Sequence, residues 1–107
     1  MIRVLIVDDE YIMRQGLKYM IHWEQEGYEI VGEATNGNEA LRLTEELKPH
    51  IIISDIMMPV MDGITLCKQL KDDVRTSHIP IILLTAKDSL QDKEEGYEVG
   101  ADSYLTK

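Results

Sequence analysis

Apolar runs in this 107-residue chain repeatedly end in residues that could handle a phosphoryl group. Val4-Leu5-Ile6-Val7 meets Asp8-Asp9-Glu10, Ile51-Ile52-Ile53-Ser54 meets Asp55, Ile81 to Leu84 meets Thr85, and Tyr104-Leu105 meets Thr106-Lys107. A charge abutting a buried run is costly unless something pairs with it, which marks such positions as candidates for chemistry. Clustered carboxylates repel one another unless a cation sits among them. Magnesium suits that role: it takes oxygen ligands in near-octahedral geometry and keeps several waters, so two carboxylates and a backbone carbonyl suffice. Lys107 would offer a point charge to a phosphate oxygen and Thr85 a hydroxyl donor. Asp55 would then be the nucleophile, attacking phosphorus to give an acyl phosphate.

These groups must be carried to one place by the elements between them. Short apolar runs at Val4 to Val7, Glu29 to Ala34, Ile51 to Ile53, Ile81 to Leu84 and Ser103 to Leu105 have the pattern of strands covered on both faces. Amphipathic segments alternate with them. Met13, Leu17, Met20 and Ile21 fall on one helical face, and Ala40, Leu43 and Leu47 on another. Asn36 followed by Glu39 predicts a capping-box start for the second helix, which Pro49 closes. A third helix is expected over Gly63 to Lys71, and a fourth over Ser89 to Val99 with Gly100 as its stop. Strands alternating with helices imply a doubly wound α/β domain with a parallel sheet and right-handed crossovers. Ligands of such sheets gather beyond the carboxyl ends of the strands, where Asp8, Asp9, Asp55, Thr85 and Lys107 all fall.

Composition narrows the function classes. The length suits one domain with one sizeable core. Lys and Arg total 11 against 20 Asp and Glu, a net charge of -9, which disfavours direct binding of nucleic acid phosphates and favours cationic partners such as magnesium. The apolar stretch at the amino terminus is far too short for a signal peptide or a membrane span, and the single Cys67 fits a reducing compartment, so a cytoplasmic location is expected. Neither a Gly-x-x-x-x-Gly-Lys phosphate loop nor a Gly-x-Gly-x-x-Gly fingerprint occurs. His22, His50 and His78 lack metal-ligand spacing.

Asp8-Asp9-Glu10, the run Asp55-Ile56-Met57-Met58-Pro59-Val60-Met61-Asp62-Gly63, Leu84-Thr85-Ala86, and Gly100-Ala101-Asp102-Ser103-Tyr104-Leu105-Thr106-Lys107 occur in the order and spacing of a known family. In these the chain resembles the receiver domain of bacterial two-component response regulators. The resemblance covers the whole chain. It implies a flavodoxin-like, five-stranded parallel sheet in the order 2-1-3-4-5. It also implies that Asp55 accepts phosphate from a sensor histidine kinase, at an exposed strand end that gives the kinase access. Asp9 would bind Mg2+ directly, Asp8 directly or through water, and Met57 through its backbone carbonyl, with Asp55 completing the set. Thr85 and Lys107 would contact the phosphoryl oxygens, and Tyr104 would be the aromatic switch residue, with the small Ala86 leaving room for the phosphate. Such a domain is a signalling phosphoacceptor that catalyses only its own phosphorylation and dephosphorylation. Its homodimers, where formed, use the face of the fourth helix and fifth strand, and DNA is reached through a separate output domain that controls transcription.

Two other classes share part of this chemistry. Phosphatases of the haloacid dehalogenase type also combine an aspartate nucleophile, a threonine, a lysine and acidic metal ligands on a doubly wound sheet, but their nucleophile belongs to an Asp-x-Asp pattern on the first strand. A pseudo-receiver serving only as a binding module would have lost acceptor, metal or switch positions, and none is lost here. Met1 immediately before the first strand is expected to begin the native protein. The segment from Ile21 to Ala34 resembles receivers joined to AraC-type DNA-binding domains. The chain is expected to be truncated after the fifth strand, without the fifth helix that the family places beside the first, and thereby to be prone to self-association or reduced stability. Met57 and Lys87, two residues beyond the acceptor and the switch threonine, are long enough to shield a phosphoryl group from water.

Overall fold

The computed structural model describes residues 1–85, 98 and 100–106. Its strands are β1 (Ile2–Val7), β2 (Tyr28–Ala34), β3 (Ile51–Asp55), β4 (Ile81–Thr85) and β5 (Ser103–Thr106), and its helices α1 (Tyr11–Met20), α2 (Gly37–Leu47) and α3 (Gly63–Asp72). All strand pairs are parallel, in the order β2-β1-β3-β4-β5. The order and the doubly wound architecture are those expected. Of the fourth helix expected over Ser89 to Val99 only Glu98 is described, and the rest, together with Ala86, Lys87 and Lys107, lies outside the described residues.

Alternation along the strands splits the core into two layers. Leu5 and Val7 of β1, Ile52 of β3, and Ile81 and Leu83 of β4 join one buried cluster with Ala40 of α2 and Leu66, Cys67 and Leu70 of α3. Val4, Ile6, Ile53 and Leu84 point the other way, against Leu17 of α1, Trp23 and Tyr28. Both faces of the sheet are therefore apolar, which is why these strands read as continuous hydrophobic runs. Ile21, expected on the buried face of the first helix, instead caps it in extended backbone and is exposed.

Helix α2 begins as its sequence predicts. Asn36 Oδ1 accepts from the Glu39 N–H at 2.9 Å. The returning carboxylate takes the N–H of Thr35 at 3.1 Å instead of that of Asn36, so the reciprocal cap is displaced by one residue. The helix ends on Lys48 in the left-handed region, φ 48°, before Pro49. Among the described residues no helix is long and apolar enough to cross a membrane.

The start of β5 is locked to α3 by Asp102, whose Oδ2 accepts from the Ile81 N–H and from Lys71 Nζ, each at 2.8 Å. Partial burial pushes this carboxyl up, but the hydrogen bonds from Lys71 and Ile81 and the ammonium charge together hold it below its ordinary value of 3.8. A carboxylate depressed on folding contributes stability that is present above the unfolded pKa and lost as pH falls through the folded one. The stability difference between the parent and Asp102→Asn, measured by urea denaturation, is therefore expected to be constant near neutrality and to shrink below about pH 4.

Cys67 is fully buried between α3 and the sheet, and burial pushes its thiol up to about 11. It stays protonated and out of reach, inert as a nucleophile. With a chromogenic disulfide reagent at pH 8, native protein is expected to react only as fast as it unfolds, and urea-unfolded protein at once. Rapid labelling of the native thiol would contradict this packing.

Candidate functional site at the carboxyl edge of the sheet

The register of the sheet places the chemistry. Val7 pairs with Ser54, so Asp8 and Asp55 are the next residues on adjacent strands. Asp55 pairs with Leu84, so Thr85 follows beside it, and Thr85 pairs with Thr106. Three polar side chains are thereby buried along one rim: Asp8 is 0%, Asp55 3% and Thr85 1% exposed. Tyr104, half-buried on β5, packs against the larger cluster. Lys107, the proposed phosphate contact, follows Thr106 beyond the described residues.

Asp55 is not the exposed acceptor expected from its position at a strand end. The loop after β3 folds back over it. The Gly63 N–H returns to the Ile56 carbonyl at 2.8 Å, and a Cβ at Gly63 would collide with the Asp55 carbonyl oxygen and the Ile56 Cα. Only glycine lets backbone approach backbone there. Asp62 then caps α3, its Oδ1 accepting from the Thr65 N–H at 2.8 Å. The other end of the loop seats on α2: the Gly37 N–H donates to the Met61 carbonyl at 3.2 Å, and a Cβ at Gly37 would strike the Met61 side chain. Met57, whose carbonyl was expected to face a metal, lies in this loop with its side chain 71% exposed.

The acidic turn after β1 gathers carboxylates that could hold a metal ion. Ligand oxygens of Asp8, Asp9 and Glu10 all lie within 4.8 Å of one another. Asp8 is buried, whereas Asp9 and Glu10 are exposed. Asp55 stands across from this turn on the neighbouring strand. Glu10 was part of the sequence motif but not of the expected ligand set; its place in the cluster comes from the turn, in which its N–H donates to Asp8 Oδ1 at 2.9 Å. The donor set consists of carboxylate oxygens alone, which fits a hard divalent cation such as Mg2+. Arg14 of α1 donates from Nη1 to the Asp8 carbonyl at 2.8 Å and from Nε to Glu33 Oε1 of β2 at 3.1 Å. Lys18 holds the other Glu33 oxygen at 3.0 Å. Partial burial pushes the Glu33 carboxyl up, but Lys18 and Arg14 together outweigh it and hold the group below its ordinary value.

A cleft of about 570 Å³ lies at the opposite pole between Pro49 and Ile79 and contains none of these groups.

The model of the response regulator receiver domain matches residues 4–107. The chain belongs to that family. It is 44% identical over 105 residues to the alkaline phosphatase synthesis transcriptional regulatory protein PhoP of Bacillus subtilis, covering 98% of this chain and 42% of that protein. It is 45% identical over 104 residues to histidine kinase P4 of Formosa agariphila, covering 97% of this chain and 7% of that protein. The chain thus spans less than half the length of either relative. A response regulator crystal structure from Chloroflexus aurantiacus superposes with a TM-score of 0.90 at 36% identity, over 98% of this chain and 84% of that one. The receiver resemblance carried by Asp8-Asp9, Asp55, Thr85 and the carboxyl-terminal motif is therefore correct, as is the strand order it implied.

The receiver loop after Asp55 also contains strain. Val60 has φ +67° and is 79% exposed, and the Met61 N–H donates across it to the Pro59 carbonyl at 2.7 Å, a γ-turn centred on a β-branched residue. Such a conformation costs on the order of 1–3 kcal/mol. Val60→Gly should relieve most of it and forfeit about 0.5–1 kcal/mol in backbone entropy. The expected result is a higher urea midpoint at unchanged slope, and a lower midpoint would show that the turn is unstrained.

Proposed function

We propose that this receiver accepts a phosphoryl group on Asp55 from a sensor histidine kinase, in a reaction that requires Mg2+, and that the modified form shifts a conformational equilibrium controlling an output, transcription above all. The observation that carries the proposal is the buried row Asp8, Asp55 and Thr85, set side by side by strand register at the carboxyl edge of the sheet. A carboxylate oxygen of Asp55 attacks phosphorus in line, the P–N bond of the kinase phosphohistidine breaks, and the imidazole departs with the bonding electron pair. Asp55 is held by its strand and by the returning loop at Gly63, so little motion of the nucleophile is needed.

Asp8 and Asp9 would hold the metal, with Asp55 and the Met57 carbonyl completing the set and Glu10 close at hand. A bound Mg2+ would offset the charge gathered when a phosphoryl group meets this acidic rim. Thr85 would donate its hydroxyl to a phosphoryl oxygen and Lys107 its ammonium. Their movement toward the modified aspartate would let Tyr104 turn further into the core, favouring a pre-existing active state.

In this reading the domain is no enzyme toward other substrates; it catalyses only its own phosphorylation and dephosphorylation. It works in the cytoplasm, binds no DNA itself, and reaches DNA through an output domain; the name of the PhoP relative, a transcriptional regulatory protein, supports a transcriptional output. Leu105, 51% exposed on β5, supports a homodimer through the face of the fourth helix and fifth strand.

Intact-mass measurement after incubation with acetyl phosphate and Mg2+ should detect one added phosphoryl group, absent after chelation and absent in Asp55→Asn. Undiminished labelling of that variant would overturn the assignment. Steady turnover of an added phosphoester would instead favour a phosphatase.

A further inference from the structure

Three carboxylates gathered in one turn repel one another, so the turn Asp8–Glu10 needs something besides its own sequence to keep its shape. Within the turn the Glu10 N–H is bonded to Asp8 Oδ1, which fixes one end. The other restraint comes from outside. Arg14, one helical turn further along α1, reaches back to the Asp8 backbone carbonyl with one nitrogen and to Glu33 on β2 with another. Its side chain is only 12% exposed, and its guanidinium carbon lies 5.7 Å from the centre of the Tyr11 ring. A guanidinium presents its donors in a fixed planar fork, so anchoring one arm on Glu33 aims the other. Glu33 is itself held from the far side by Lys18 at 3.0 Å and by Gln15 at 3.4 Å. Two cations thus share one carboxylate, leaving one net positive charge beside the acidic turn.

We infer that Arg14 is a positioning residue for the divalent cation: braced by Glu33, it clamps the Asp8 carbonyl and so keeps the carboxylates of Asp8, Asp9 and Glu10 in the arrangement a metal can use. The inference rests on the metal reading proposed above. Its electrostatic side effect runs the opposite way, because a cation near the turn weakens attraction for Mg2+. The two contributions therefore predict opposite signs. If Arg14 acted only through its charge, its removal would tighten Mg2+ binding. If it positions the turn, removal loosens binding despite the more negative surroundings.

The test is Mg2+ titration by calorimetry of the parent, Arg14→Ala, Arg14→Lys and Lys18→Gln, combined with amide hydrogen exchange at Glu10. For Arg14→Ala, Mg2+ affinity is expected to fall about tenfold, within the range typical of groups that orient metal ligands, and Glu10 exchange to accelerate while amides of β1 and β3 keep their protection. Arg14→Lys, which keeps the charge but cannot span both acceptors, should lie close to Arg14→Ala. Lys18→Gln removes one of the two cations on Glu33 but leaves Arg14 with both of its acceptors, and should lose clearly less Mg2+ affinity than Arg14→Ala. Unchanged or tighter Mg2+ binding in Arg14→Ala, with Glu10 exchange at the parental rate, would overturn the inference. Should the parent itself bind no Mg2+, the metal reading falls, and the exchange of Glu10 alone then decides whether Arg14 holds the turn.

Discussion

Like charges crowded at one edge of a sheet are the constraint around which this domain is arranged. In-register pairing of β1 with β3 runs to Val7 and Ser54, so Asp8 and Asp55 follow at neighbouring positions, and both are buried. Two carboxylates on neighbouring strands repel one another unless hydrogen-bond donors or a cation offset them. The opposing features cluster where they are needed: the Glu10 N–H on Asp8, the Arg14 guanidinium on the Asp8 carbonyl, and an acidic turn whose carboxylates could share a metal ion. A sheet of this kind could end its central strands in serine or asparagine at less cost. That it ends them in aspartate makes sense only through what the carboxylates do.

The connection between β3 and α3 solves a second problem, covering the acceptor strand without enclosing its side chain in an apolar shell. Gly63 brings the loop backbone into contact with the Asp55 carbonyl, Asp62 starts α3 at once, and Gly37 receives Met61 on the amino end of α2. The strained turn at Val60 is the geometric consequence of closing the loop between these two docking points in so few residues. In the proposed phosphotransfer such rigidity would serve the chemistry, because a nucleophile already in place does not lose rate to reorganisation.

Much of this was legible in the sequence, for identifiable reasons. Both faces of the sheet are covered, so the strands stood out as uninterrupted apolar runs, and because parallel strands end at one edge, their terminal residues could be grouped before any register was known. The Asn36 cap was legible because capping is local. The burial of Asp55 and the return of the Gly63 N–H to the Ile56 carbonyl, seven residues earlier, were not, since neither has a periodic signature. The brace of Arg14 on Glu33 joins α1 to β2 across 19 residues, and in the sequence Arg14 is merely a polar position on an amphipathic helix. Ile21 was misplaced because helical periodicity does not mark where α1 stops without a glycine or proline.

Both sides of the rim are tied to helices by polar side chains. On the β1 side the groups are tied by charge-assisted hydrogen bonds that span α1, β2 and the acidic turn, and each bond fixes a direction. On the β4–β5 side, Asp102 ties the start of β5 to Lys71 of α3 and to the Ile81 N–H, while Tyr104 is half-buried against the larger apolar cluster, so directional bonds and packing together fix where the last strand meets the rim.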